Sequence, residues 1–223
     1  TMMMRGFANG GWIDRNVGTE YLFNDLLLKH WPANMWIQLP LDCLDELKTT
    51  HGFAAEDVEE IFVTPRILER DKFSWDGYNS CRDAQFSVPY CLAAYLTLGN
   101  PGPDWYAPER LADKKVLEMA SRVRLDPEKD QVLQDAFRMF KAGSFPTVTM
   151  AVKLKDGRTV ETTKQFPKGH PQNPFDWADV ERTFRNGAAM AGLLQEKVER
   201  FVELCKVIED LDDMAPLAEC LSI

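Results

Sequence analysis

Lys29 stands two residues before the rigid pair Trp31-Pro32 and among apolar groups. In that setting an ammonium can bind a carboxylate or, with its pKa lowered by burial, shuttle a proton. The alternative is an ordinary solvated lysine. Asn34 and Gln38 follow at a spacing of four, so on a helix led by Pro32 they share one face and can grip one carboxylate together. Their competing use is to cap backbone donors at a helix start. Neither amide exchanges a proton as an imidazole does, so both can orient a ligand and neither can act as general acid or base. Arg82, beside Asp83, can reach a carboxylate in the bidentate geometry that arginine favours, or form a surface ion pair. His170, in a Gly-Pro loop, either contacts a ligand or is simply solvated. His30 and His51 read as a neighbour of the Lys29 segment and a helix terminus, and neither is assigned to chemistry. No His/Cys/Asp cluster has ligand spacing, which predicts a site free of metal and cofactor.

The elements that must position these groups are legible as changes of period. Leu41, Leu44 and Leu47 recur every three residues between Leu39 and Thr50, and His51-Gly52 supplies a helix stop. Val58, Ile61 and Val63 suit a short strand ended by Pro65. Ser87 to Leu98 is nearly all apolar and closes at Gly99-Asn100-Pro101-Gly102-Pro103, the pattern of a buried helix followed by a turn cluster. Pro108 to Met119 and Pro127 to Lys141 carry helical spacing, with a break at Leu125-Asp126-Pro127. Thr147 to Leu154 and Thr159 to Phe166 flank Lys155-Asp156-Gly157-Arg158, a strong hairpin signal. Pro167 to Pro174 is too rich in proline and glycine for regular structure and predicts a surface loop. Asp176 caps a helix to about Met190, a second runs from Leu193 to Leu211, and a turn spans Met214 to Leu221. The order predicts an α+β fold: an irregular or helical lead-in over 1–28, a small α/β lobe with a β-hairpin over 29–168, and a helical segment over 169–223.

Composition narrows the function classes. A net charge of −9 and a pI near 4.9 argue against nucleic acid and anionic membrane surfaces, which select a basic face. No run of about 18 apolar residues occurs, and the start lacks a secretory pattern, so the reading is a soluble, cytoplasmic protein. Five scattered cysteines without a C-x-x-C pair suggest free thiols.

Separated motifs then align with one family. Asp83-Ala84-Gln85-Phe86-Ser87-Val88-Pro89-Tyr90 resembles the A-x-F-S-x-P-Y signature of MmgE/PrpD proteins, the group that includes 2-methylcitrate dehydratase, cis-aconitate decarboxylase and iminodisuccinate epimerase. His51-Gly52 with Glu56-Asp57-Val58 to Ile61, and Pro167-Lys168-Gly169-His170-Pro171 to Pro174, resemble two further family passages. Thr183-Phe184 stands where a Lys-Phe pair is usual, and Lys29 to Gln38 occupies the place of a K-x-[YF]-P segment whose lysine faces the substrate. Many relatives follow that segment with a histidine, whereas this chain has Asn34 and Gln38.

The resemblance implies elimination, decarboxylation or epimerisation at the carbon beside a carboxylate, where developing negative charge needs a fixed cation or donor. It makes Lys29 and Tyr90 the catalytic candidates, with core packing as the rival role of Tyr90. Asn34, Gln38, Arg82 and His170 are the substrate-binding candidates. It further implies a large helical domain bearing an Asp, a Thr, a His and another Lys, none of which can be assigned here, and typically a homodimer. Two functions follow. One is a hydro-lyase component, working on a hydroxy di- or tricarboxylic acid with a complementary helical domain, subunit or second copy. The other is a non-catalytic relative serving as a binding or structural module.

Overall fold

In Val148 to Leu154 every second side chain is apolar and buried, and in Val58 to Thr64 the buried residues are Val58, Ile61 and Val63. Two such strands need a covering layer on one face only, because alternation sends the remaining side chains the other way. The structure, a computed structural model, describes residues 18–19, 26–66, 73–126 and 133–222. Its strands are β1 (Val58–Thr64), β2 (Val123–Leu125), β3 (Val148–Leu154) and β4 (Thr159–Lys164). Its α-helices are α1 (Gln38–His51), α2 (Cys81–Gln85), α3 (Val88–Leu98), α4 (Lys114–Ala120), α5 (Leu133–Lys141), α6 (Trp177–Met190), α7 (Gln195–Lys206) and α8 (Ala215–Cys220).

The sheet runs β2-β1-β3-β4, with β2 parallel to β1 and the other pairs antiparallel. The β3–β4 hairpin turns at Asp156-Gly157, where Gly157 takes φ +91° and the Asp156 carboxylate accepts from the Arg158 N–H. Helix α1 lies across β3 and β4 and packs on α3. Ile37, Leu39, Leu41, Leu44, Ile61, Leu92, Met150 and Leu154 are all fully enclosed there. Each such aliphatic side chain contributes about 1.5–3 kcal/mol relative to an exposed one. The opposite face of the sheet is open, with Phe62 45% exposed and the exposed Thr149 and Thr163 hydroxyls hydrogen-bonded to each other.

The mixed architecture is the α+β fold the periodicities predict, and the differences are local. The predicted helix over Pro108 to Met119 is only the seven residues of α4, because Asp113 accepts from the Lys115 N–H and begins the helix there. Strand β2 was not predicted. Its three residues, Val123-Arg124-Leu125, are too few for their alternation to mark a strand, and they become one by pairing with Ile61, Phe62 and Val63. The predicted helix over Leu193 to Leu211 is α7 followed by a short 3-10 turn at Ile208–Asp210, and the final turn is the helix α8. The loop 167–174 is not wholly at the surface: Pro167, Gly169 and His170 are buried. The first six residues of the helix predicted from Pro127, and the lead-in over 1–28 apart from residues 18–19 and 26–28, lie outside the described residues.

Candidate functional site

Segment 28–34 is held from four sides. The Leu28 N–H donates to the Gly169 carbonyl at 3.0 Å, and the approach is so close that a Cβ on Gly169 would sit 2.0 Å from the Leu28 oxygen. Gly169 also takes φ +90°, so no other residue fits there without strain. The Asn34 N–H donates to the Gln85 carbonyl at 3.0 Å, and the Tyr106 hydroxyl donates to the Pro32 carbonyl at 2.5 Å. From α1 comes Gln38, fully buried. Its Oε1 accepts from the backbone N–H of His30 and Trp31, and its Nε2 donates to the carbonyls of Trp31 and Ala33.

One turn further along α1, the Asp42 carboxylate is 9% exposed and fixed by two donors at 2.7 Å: the Trp31 indole on Oδ1 and the Lys168 backbone N–H on Oδ2. His30 Nδ1 lies 3.4 Å from the same Oδ1. Trp31 itself is buried edge-on against Tyr95, with ring centres 5.2 Å apart. The tip of the segment, Lys29 to Pro32, is thereby set against a cavity of about 720 Å³. The opposite wall is α6, which contributes Arg182, Thr183, Asn186, Gly187 and Met190, and the floor is Asn100 to Pro103 with Asp45 and Tyr95. Lys29 is exposed, which leaves its ammonium accessible to a ligand.

The site candidates therefore separate. Lys29 alone lies on the cavity. Asn34 caps the 3-10 turn Met35–Ile37, its Oδ1 accepting from the Trp36 N–H at 3.0 Å, and Gln38 has its whole amide engaged by backbone. The turn between them breaks the continuous helix on which the two amides would have shared a face. Tyr90 is fully buried, donates to the Trp105 carbonyl at 2.5 Å and stacks on Tyr106. Burial raises its phenol further above the ordinary tyrosine range, with smaller contributions from Cys91, Tyr78 and Asp113. Its environment is the core. Arg82 is exposed on α2, away from the cavity lining, and Asp83 beside it accepts from the Ser80 hydroxyl.

His170 is neither solvated nor on the cavity. It is 2% exposed among Phe140, Phe145 and Phe166, its Nδ1 accepts from the Gln172 N–H, and burial pushes its pKa below the ordinary 6.5. Three groups on or behind the cavity were not foreseen: His30, Asp42 and Arg182. A signal existed for Asp42, an acidic residue on the apolar Leu39–Leu41–Leu44 stretch of α1 and four residues after Gln38. On α6, one turn before Arg182 and outside the cavity lining, Asp179 pairs with Lys168 at 2.7 Å and Arg182 at 2.6 Å. Burial alone would raise the Asp179 carboxyl, but these partners and the Asp176 N–H outweigh it and hold the group well below the carboxylate range.

The fold that builds this cavity has relatives. The MmgE/PrpD C-terminal domain model matches residues 31–210. This chain belongs to the MmgE/PrpD family. Cis-aconitate decarboxylase of Homo sapiens is 27% identical over 139 residues, which is 62% of this chain and 27% of that protein. The chain thus spans about a quarter of the length of the curated relative it matches. The MmgE/PrpD match takes in Gln38, Asp42, Tyr90 and Arg182 and begins two residues after Lys29. Among the described residues no helix is long and apolar enough to cross a membrane, and no group of three or more His, Cys, Asp or Glu side chains could hold a metal ion.

Proposed function

We propose that this chain supplies one wall of the active site of an MmgE/PrpD-type lyase that removes or adds water next to a carboxylate of a hydroxy di- or tricarboxylic acid. The observation that carries the reading is Lys29, exposed on a backbone that Gln38 fixes, across a cavity from Arg182, Thr183 and Asn186. Two cations facing one space suit a ligand with more than one carboxylate, and a fixed ammonium stabilises charge that develops beside a carboxylate. The remaining groups come from a complementary helical domain, a partner subunit or a second copy of this chain. Trp177 and Leu194 are exposed at the start of α6 and just beyond its end, and neither lines the cavity, which supports a contact of that kind outside it. The five free thiols suit a reducing, cytoplasmic setting.

A second reading, a non-catalytic binding or structural module, draws support from Tyr90, Asn34 and Gln38, whose polar atoms serve the fold. Calorimetric titration with citrate, a hydroxy tricarboxylate, separates either binding function from a structural one. The proposal expects saturable binding that weakens about tenfold in Lys29→Ala, the loss of one desolvated charge contact. Heat of dilution alone for the unaltered chain overturns it.

A further inference from the structure

We infer that His30, held by Asp42, is the proton-exchanging group of this cavity. The inference rests on reading the cavity as a polycarboxylate lyase site and names a residue that reading does not use. Its geometry is that of a positioned base. The His30 backbone is pinned by the Gln38 amide at 3.0 Å, and its ring packs on Trp31 with centres 4.5 Å apart and edge-on to Phe175 at 5.9 Å. Nδ1 is turned to Asp42 at 3.4 Å, so Nε2 lies on the ring's opposite edge. The side chain lines the cavity and is 19% exposed. A carboxylate beside Nδ1 favours the tautomer with its proton there and leaves the Nε2 lone pair free to accept. The 3.4 Å separation is of the kind that tightens when a substrate binds.

The other charged groups around His30 leave it this role. Lys29 beside it and Arg182 across the cavity are cations, and Arg182 is paired with Asp179. Asp45 accepts the Tyr95 hydroxyl. Lys168 gives Asp42 its backbone N–H while its ammonium is bound to Asp179. Asn34, an amide occupied in capping, transfers no proton. In the elimination, the C–H bond beside the carboxylate breaks and its proton goes to Nε2. The electron pair is held on the carboxylate that Lys29 faces, then forms the carbon–carbon double bond as the C–O bond breaks. The imidazolium returns the proton to the departing hydroxyl, and water leaves. Asp42 stabilises the imidazolium between the two steps.

The test is citrate binding to the full chain in buffers of different ionisation heat, which counts protons taken up on binding, with ¹⁵N spectra of the imidazole rings. The expected result is proton uptake in the unaltered chain that is lost in His30→Asn, and a change of His30 tautomer balance in Asp42→Asn. Equal uptake in the unaltered chain and His30→Asn overturns the inference while leaving the Lys29 reading intact. Absence of any citrate binding overturns both. Should Asp42→Asn fail to fold, the His30→Asn comparison decides alone.

Discussion

The two walls of the cavity are made differently. On the α1 side, Gln38 and Asp42 are buried and bonded to the backbone of residues 30, 31, 33 and 168 and to the Trp31 indole, so the loop they hold is fixed before any ligand arrives. On the α6 side, Arg182, Thr183 and Asn186 are exposed, and the ion pairs of this helix, Arg185 with Glu181 and Glu199, reach solvent. The difference teaches that a buried amide and carboxylate are used here to shape backbone, whereas the residues that can meet a ligand, Lys29 on that backbone and Arg182, Thr183 and Asn186 on α6, are exposed side chains of low intrinsic cost to change. Substitutions should therefore separate cleanly into those that unfold the protein and those that weaken binding.

The largest effect expected is on the α1 side. Gln38→Ala leaves the His30 and Trp31 N–H groups and the Ala33 carbonyl without their partner, while the Trp31 carbonyl keeps the Ala33 N–H, and a loss of about 3 kcal/mol or more follows from the cost of the unmet groups. Urea denaturation checks it, and a loss under about 1 kcal/mol would show that water replaces the amide. Next comes Tyr90→Phe, which strips the donor from the Trp105 carbonyl and should cost about 1–2 kcal/mol while leaving citrate affinity unchanged. A selective loss of affinity would instead move Tyr90 from the core to the ligand.

The pH dependence has a smaller effect and a definite sign. The His170 pKa is lowered on folding, so the native state disfavours the imidazolium, and the stability this residue allows is present above pH 6.5 and lost as pH falls through the folded value. The Asp179 carboxyl is also depressed in the folded state, and its contribution disappears only in acid, below the ordinary carboxylate range. Thermal melts from pH 7.5 to 5 should fall for the native chain and flatten in His170→Asn. The smallest effect belongs to Arg182→Ala. Its exposed ion pair is worth at most about 0.5 kcal/mol, so melting temperature should hold while citrate affinity drops a few-fold.

Much of this was legible because chain-local rules governed it. The strand alternation around Met150 and Val152, the Asp156-Gly157 turn, the Asp176 capping box and the Gly52 stop each depend on residues within one turn or one pleat. Strand β2 was not legible, since a three-residue strand is made by its neighbour. Nor was His170, whose burial depends on Phe140 and Phe145, some 25 to 30 residues away along the chain. The cavity stands between these cases. Lys29 was marked by its motif, but the pairing of His30 with Asp42 arises because α1 folds back under its own leading loop, which no periodicity reports. Gln38 was read either as a carboxylate grip or as a partner for backbone, and its amide meets backbone.

The most direct test of a rigid wall that presents Lys29 to a polycarboxylate is citrate calorimetry on the unaltered chain and Lys29→Ala, with a thermal melt of each. The account predicts melting temperatures that agree and an affinity about ten times weaker in the variant. Equal affinities at equal stability would contradict it.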